Sequence, residues 1–212
     1  MPAPRFITFD VFGTLIDWRQ GLTQACADSG YLLTPAGFET LIDTQARLEK
    51  TTFQPYAVIT ALSLVQTLRM PAPQAAAIGA TCGAWPFFPD IPALSEILAL
   101  APCAAMTNSD IAHGQHIQSR LGYSLPDWLT AELLRVYKPD PQFWHAMAAR
   151  NTLQFGPAWW HVSAYADYDL GVAARLGLTT VFISRPHVRP GPATHTVPGL
   201  AALRDLIRSE TG

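Results

Sequence analysis

The sequence lacks any uninterrupted apolar run approaching the roughly 18 residues that a membrane-spanning helix needs, although 49% of its 212 residues are hydrophobic. Charge is scarce, at 14% of residues, and is nowhere concentrated in a run of one sign. With a formal net charge of −2 there is no basic face to attract nucleic acid or an anionic membrane. Cysteine is nearly absent. Cys26, Cys82 and Cys103 are odd in number, widely spaced and without a CxxC pair, which argues against a disulfide framework and fits three small buried hydrophobes in a reducing compartment. The first apolar run, Phe6 to Phe9, is too short for a secretion signal and ends at Asp10. A cytoplasmic protein is expected. Lysine is the rarest charge: of 14 basic residues only Lys50 and Lys138 are lysines. In a chain that otherwise uses arginine, a lysine marks a place where a compact ammonium serves better than a planar fork.

What is present reads as alternation. Arg5 to Phe9 is a β-branched and aromatic strand delivering Asp10, followed by a turn at Phe12-Gly13-Thr14. From Asp17 to Ala84 the apolar residues recur at helical spacing (Phe38, Leu41, Ile42; Val58, Ala61, Leu62, Val65), punctuated by Pro35, Pro55 and Pro71. Beyond Pro86, helices and strands alternate. Strands are expected at Cys103–Met106, within Leu129–Val136, at Trp159–Ser163 and at Thr180–Ser184. Helices are expected at Ala93–Leu100, at Ile111–Leu121 closed by Gly122, from Pro141 to Arg150, before Gly177 and at Leu200–Ser209. The Pro-rich stretch Pro186–Pro198 reads as a surface loop. This order predicts an α/β fold with a doubly wound, mostly parallel, Rossmann-like sheet. The core would comprise residues 1–15 and 88–212, with residues 16–87 forming a helical cap inserted after the first strand.

In open parallel sheets the ligand crevice lies outside the carboxyl ends of the strands. Four strand ends here carry polar clusters: Asp10 with Thr14, Thr107-Asn108, Tyr137-Lys138, and Ser163 leading to Asp167 and Asp169. Each alone reads equally as a helix cap, a turn former or a solvated lysine. Their order is the signal. Phe9-Asp10-Val11-Phe12-Gly13-Thr14-Leu15 resembles the first motif of the haloacid dehalogenase superfamily. Thr107-Asn108, Val136-Tyr137-Lys138-Pro139-Asp140-Pro141 and the Asp167/Asp169 segment resemble its second, third and fourth motifs, in order. The resemblance spans essentially the whole chain. It implies that Asp10 is a covalent nucleophile, that Thr107 and Asn108 bind the substrate's anionic end or orient Asp10, and that Lys138 offsets clustered carboxylates. Thr14 and the turn amides would hold Asp10 in line.

Position 12 selects among the superfamily's chemistries. Its phosphatases carry a second Asp there, which protonates the leaving alcohol; here the residue is Phe12. Losing such an acid costs about 10²–10⁴ in rate, whereas a halide leaves without a proton. The family's 2-haloacid dehalogenases have an aromatic residue at this point, in Asp-x-Tyr-Gly-Thr. The resemblance therefore implies hydrolytic dehalogenation of a short 2-haloalkanoic acid through an aspartyl ester on Asp10, with no metal and no cofactor. Asp169 or Asp167 would activate the water that cleaves the ester. Phe12 and Ser163 would line the substrate, and Arg47, the lone arginine between Arg19 and Arg69, would hold halide or carboxylate. Arg47 reads equally as an exposed helix charge near Glu49 and Lys50, because Thr44 aligns with the family's arginine. Two other readings stay open: a Mg²⁺-dependent phosphatase-like hydrolase, and a silent member binding an anion or a partner. A homodimer is compatible with six tryptophans and with the habit of related dehalogenases.

Overall fold

The computed structural model describes residues 2–186 and 191–211. Strand β1 (Phe6–Phe9) is buried along its length, and its last residue hands the chain directly to Asp10. The chain then leaves the sheet for four helices: α1 (Trp18–Asp28), α2 (Pro35–Leu48), α3 (Tyr56–Leu68) and α4 (Ala72–Ala80). Helix α2 starts as its sequence predicts, with Thr34 Oγ1 accepting from Gly37 N at 3.1 Å and Pro35 in the first turn. Helix α3 has no cap of its own behind Pro55. Its first amides, Tyr56 N and Ala57 N, donate instead to the Asp110 carboxylate at 2.6 and 2.9 Å. An acid from the turn that follows β2 thus satisfies orphan donors on the insert and complements the helix dipole. The entry and exit of the helical stretch are stitched together by Asp17 N to Pro86 O and Phe88 N to Leu15 O, at 2.8 and 3.0 Å.

The rest of the chain follows the alternation expected from sequence: α5 (Ala93–Leu98), β2 (Cys103–Thr107), α6 (Ile111–Leu121), β3 (Asp127–Thr130), α7 (Ala131–Leu134), α8 (Gln142–Asn151), β4 (Trp159–Ser163), α9 (Gly171–Arg175), β5 (Thr179–Ile183), β6 (His195–Val197) and α10 (Leu200–Thr211). The six strands pair in parallel in the order β3-β2-β1-β4-β5-β6. Chain order reverses at β1, so Asp10 emerges at the topological switch point, where such sheets open a crevice. Cys26, Cys82 and Cys103 are all buried and unpaired, as small hydrophobes.

Two expectations need correction. The strand expected within Leu129–Val136 begins earlier, at Asp127, and ends at Thr130. Thr130 Oγ1 then accepts from Leu133 N at 3.2 Å and starts the one-turn helix α7, so Lys138 follows a helix turn rather than a strand end. The stretch Pro186–Pro198 is not wholly a loop. His195–Val197 forms an edge strand paired with β5, while 187–190 lie outside the described residues. Three residues preceding Pro198 are too few to show alternation.

Candidate active site

Lys138 organises the crevice. Its Nζ donates to Asp10 Oδ1 and to Asp169 Oδ2, both at 2.9 Å, and Lys138 and Asp169 are fully buried. Asp10 is 5% exposed, and its second oxygen, Oδ2, accepts from Thr14 Oγ1 at 2.6 Å. Thr14 Oγ1 in turn accepts from Ala164 N at 3.0 Å, tying the turn after β1 to the loop after β4. From the other side the Arg185 guanidinium donates twice to Thr14 O, at 3.1 and 2.8 Å, and pairs with Asp90 at 2.9 Å. The turn needs its glycine. Gly13 has φ +91, and a Cβ there would meet the Tyr165 ring within 3 Å.

The electrostatics follow from burial and proximity. Burial raises the pKa of Asp10 above the ordinary carboxylate value, against the pull of Lys138 and with a further push from Asp169. Burial alone would raise Asp169 too, but Lys138 and then His161 outweigh it and hold Asp169 far below the usual range. Burial alone would lower Lys138, yet the two carboxylates keep it charged, above its ordinary value. The result is one ammonium between two acids, an arrangement that tolerates a carboxylate nucleophile in a dry site.

Asp169 reaches this place through a π turn, Ala166–Leu170, in which Leu170 N donates to Tyr165 O at 3.2 Å. An i→i−5 bond accommodates one residue more than an α turn. Behind it lies His161, fully buried, with Nε2 3.3 Å from Asp169 Oδ1 and Nδ1 2.8 Å from Thr8 Oγ1. Trp159 Nε1 donates to the same Thr8 oxygen at 2.9 Å.

A cavity of about 690 Å³ opens over Asp10 and Lys138. Residues of the helical stretch, including Trp18, Gln45, Glu49 and Tyr56, face Phe12, Asn108, Tyr137, Tyr165, Asp167 and Tyr168 across it. Phe12 touches Tyr56 and Trp85 by ring contacts at 5.9 and 6.0 Å. Burial pushes the Glu49 carboxyl up to about 8. Asn108 reaches the cavity but is committed to Lys138, with Oδ1 accepting from Lys138 N at 2.7 Å and Nδ2 donating to Lys138 O at 3.0 Å.

Several expected substrate contacts do not line the cavity. Arg47 is exposed on the outer face of α2 and donates to Gln66 Oε1 at 2.7 Å, outside the cavity lining. At about 100° per residue, a helix carrying Thr44 and Gln45 inward turns Arg47 away. Thr107 is buried and donates to Ser109 Oγ at 3.2 Å. Ser163 is buried and accepts from Tyr165 N at 3.0 Å, stapling the π turn. Thr14 positions Asp10 rather than touching the cavity. Of the two acids in the fourth cluster, Asp169 meets Lys138, whereas Asp167 is exposed on the cavity wall. Among the described residues no group of three or more His, Cys, Asp or Glu side chains is disposed to hold a metal ion. Lys138 already pairs with one oxygen of Asp10 and one of Asp169, and the Phe12 side chain offers no oxygen. Sequence reasoning missed His161, Glu49, Tyr56, Tyr165 and Tyr168.

A parallel 3-2-1-4-5-6 sheet with a carboxylate after β1, a lysine bridging it to an acid after β4 and helices inserted behind β1 has the haloacid dehalogenase fold. Solved structures agree with that assignment. The chain superposes on a crystal structure described as a dehalogenase with TM-score 0.85 at 23% identity, covering 97% of this chain and 98% of that one. It superposes on the L-2-haloacid dehalogenase of Xanthobacter autotrophicus with chloropropionic acid covalently bound, with TM-score 0.81 at 17% identity and coverage of 97% and 98%. The magnesium-bound HAD-hydrolase YfnB of Bacillus subtilis matches with TM-score 0.76 at 13% identity, covering 97% and 99%. No family model and no curated protein sequence matches the chain.

Proposed function

We propose that this protein hydrolyses the carbon–halogen bond of a 2-halo acid, using Asp10 as a covalent nucleophile and residues 16–87 as a cap over the site. In the first step an Asp10 oxygen forms a bond to C2 of the substrate while the C2–halogen bond breaks and halide departs on the opposite side. In the second, water adds to the Cγ carbonyl of the aspartyl ester. Its proton is taken up by a flanking carboxylate, Asp169 beside Lys138 or Asp167 on the cavity wall. The ester's acyl–oxygen bond then breaks, the flanking carboxylate returns its proton to the departing alkoxide, and the 2-hydroxy acid leaves as the Asp10 carboxyl is restored. Lys138 and Thr14 hold the nucleophile, because a carboxylate with both oxygens bonded has little freedom to turn away from the line of attack.

One observation carries the reading: the Lys138-bound nucleophile faces a cavity in which position 12 offers a phenyl ring and no proton. That arrangement suits a leaving group that departs as a stable anion and disfavours an alkoxide. Ligand pockets run roughly 300–1,000 Å³, so a cavity of about 690 Å³ has room beyond a three-carbon acid. The test is halide release from a panel of 2-chloro and 2-bromo acids of increasing chain length, with and without EDTA, beside phosphate release from phosphomonoesters. The reading expects halide release undiminished by EDTA. Phosphate release that requires Mg²⁺, without halide release, would overturn it.

A further inference from the structure

Asn108 has no hydrogen left for a ligand. One Nδ2 hydrogen goes to Lys138 O at 3.0 Å and the other to the Tyr168 hydroxyl oxygen at 3.1 Å. A role expected of the Asn108 amide, holding the anionic end of a substrate, therefore has to pass to another donor. The cavity's other tyrosines differ. Tyr56 directs its hydroxyl to Gln45 Oε1 at 3.4 Å and Tyr137 to Gln54 O at 2.8 Å, while Tyr165 accepts from Trp18 Nε1 at 2.7 Å. Tyr168 accepts from Asn108, and its own proton meets no acceptor among the described residues. Tyr168 lines the cavity with Asp10 and Lys138. Its ring is fixed by an edge-to-face contact with Tyr165 at 5.9 Å, and the π turn carries it there.

We propose that Tyr168 donates a hydrogen bond to the carboxylate of the bound acid, a specificity-determining contact resting on the dehalogenase reading. The direction of attack supports this assignment. In-line displacement sends the halide away from Asp10, toward the helical side of the cavity. Tyr168, tethered through Asn108 to the backbone of Lys138, stands on the nucleophile's side, where a substituent of C2 lies. Burial, with Glu49, Asp169 and Asp10 nearby, keeps the phenol protonated well above its ordinary range, so the donor persists at any working pH.

The test compares Tyr168→Phe with the unaltered protein on 2-bromopropanoate and on its neutral amide, 2-bromopropanamide. Binding of propanoate, which has neither halogen nor hydroxyl, is read separately by tryptophan fluorescence, since Trp18 lines the cavity. Phenylalanine keeps the ring, and a thermal melt establishes that the variant is folded. A charge-assisted bond implies a KM for the acid raised about tenfold or more, kcat within about threefold, and amide turnover unchanged. Propanoate should bind about tenfold more weakly. Equal losses on acid and amide, or an unchanged affinity for propanoate, would overturn the proposal. Weakened propanoate binding in a protein that releases no halide would sink the proposed reaction and leave the Tyr168 contact standing.

Discussion

The two walls of the cavity are built on opposite terms. On the sheet side, buried Asp10, Thr14, Lys138 and Asp169 and half-buried Asn108 are bonded to one another, and five of the contacts run 3.0 Å or less. On the helical side the polar groups are looser. Glu49 stands on an aromatic wall, Gln45 makes bonds of 3.3 and 3.4 Å, and the arginine expected to hold an anion faces outward. On the proposed function, the difference separates a wall that would perform chemistry from one that would select what enters. A nucleophile has to be held to within a fraction of an ångström, which only cross-linked strand ends achieve. A wall that excludes water and accommodates a substrate body can be apolar and adjustable.

That division can be broken most forcefully at its centre. Lys138→Met keeps the length of the side chain but leaves two buried carboxylates unpaired. We expect a stability loss of roughly 3–5 kcal/mol, read from the denaturant midpoint, with turnover below detection. A variant of unchanged stability would show that the sheet-side network is not the anchor described here. Glu49 sharpens the contrast from the other wall. Its carboxyl keeps a proton up to about 8 in the folded protein, against 4.5 ordinarily, so folding takes up a proton between those values. Stability should fall as pH rises from about 4.5 to about 8 and level off above it. In Glu49→Gln that part of the slope should vanish from a series of thermal melts; a slope identical to that of the parent would place Glu49 in water. The smallest effect is expected at Arg47. Because its guanidinium is exposed and bonded to Gln66, Arg47→Ala should leave KM and kcat within about twofold. A tenfold rise in KM would bring the arginine back into the site and close the difference between the two walls.

The same contrast explains what could be read from the sequence. Strand ends are legible because a buried parallel strand is a short apolar run, and the polar residue that ends it must lie at the sheet's carboxyl edge. Asp10, Asn108 and Asp169 follow from that geometry, and the order of the four clusters carried the fold. Lys138 was legible by its rarity, although a one-turn helix, not a strand end, delivers it. Helix faces are harder. Thr44 and Arg47 differ by less than one turn, and periodicity with three polar residues per turn does not say which of them looks inward. Tyr168 was illegible for a further reason: a π turn spends one extra residue without leaving a composition signal, and it shifts every side chain that follows by about 100°. His161 looked like part of an apolar strand, since nothing in Trp159-Trp160-His161-Val162 announces that its imidazole would meet an acid eight residues on in a different element.

The central claim is that Asp10 bonds covalently to its substrate, and oxygen isotope transfer tests it directly. Single turnover of a 2-bromo acid in oxygen-18 water, with enzyme in excess, is followed by mass analysis of both the 2-hydroxy acid and the peptide containing Asp10. The geometry predicts an unlabelled first product, because its new hydroxyl oxygen comes from Asp10, and one oxygen-18 in the peptide. Label in the first product with none in the peptide would mean that water attacks C2 itself and that Asp10 serves as a base, contradicting the account.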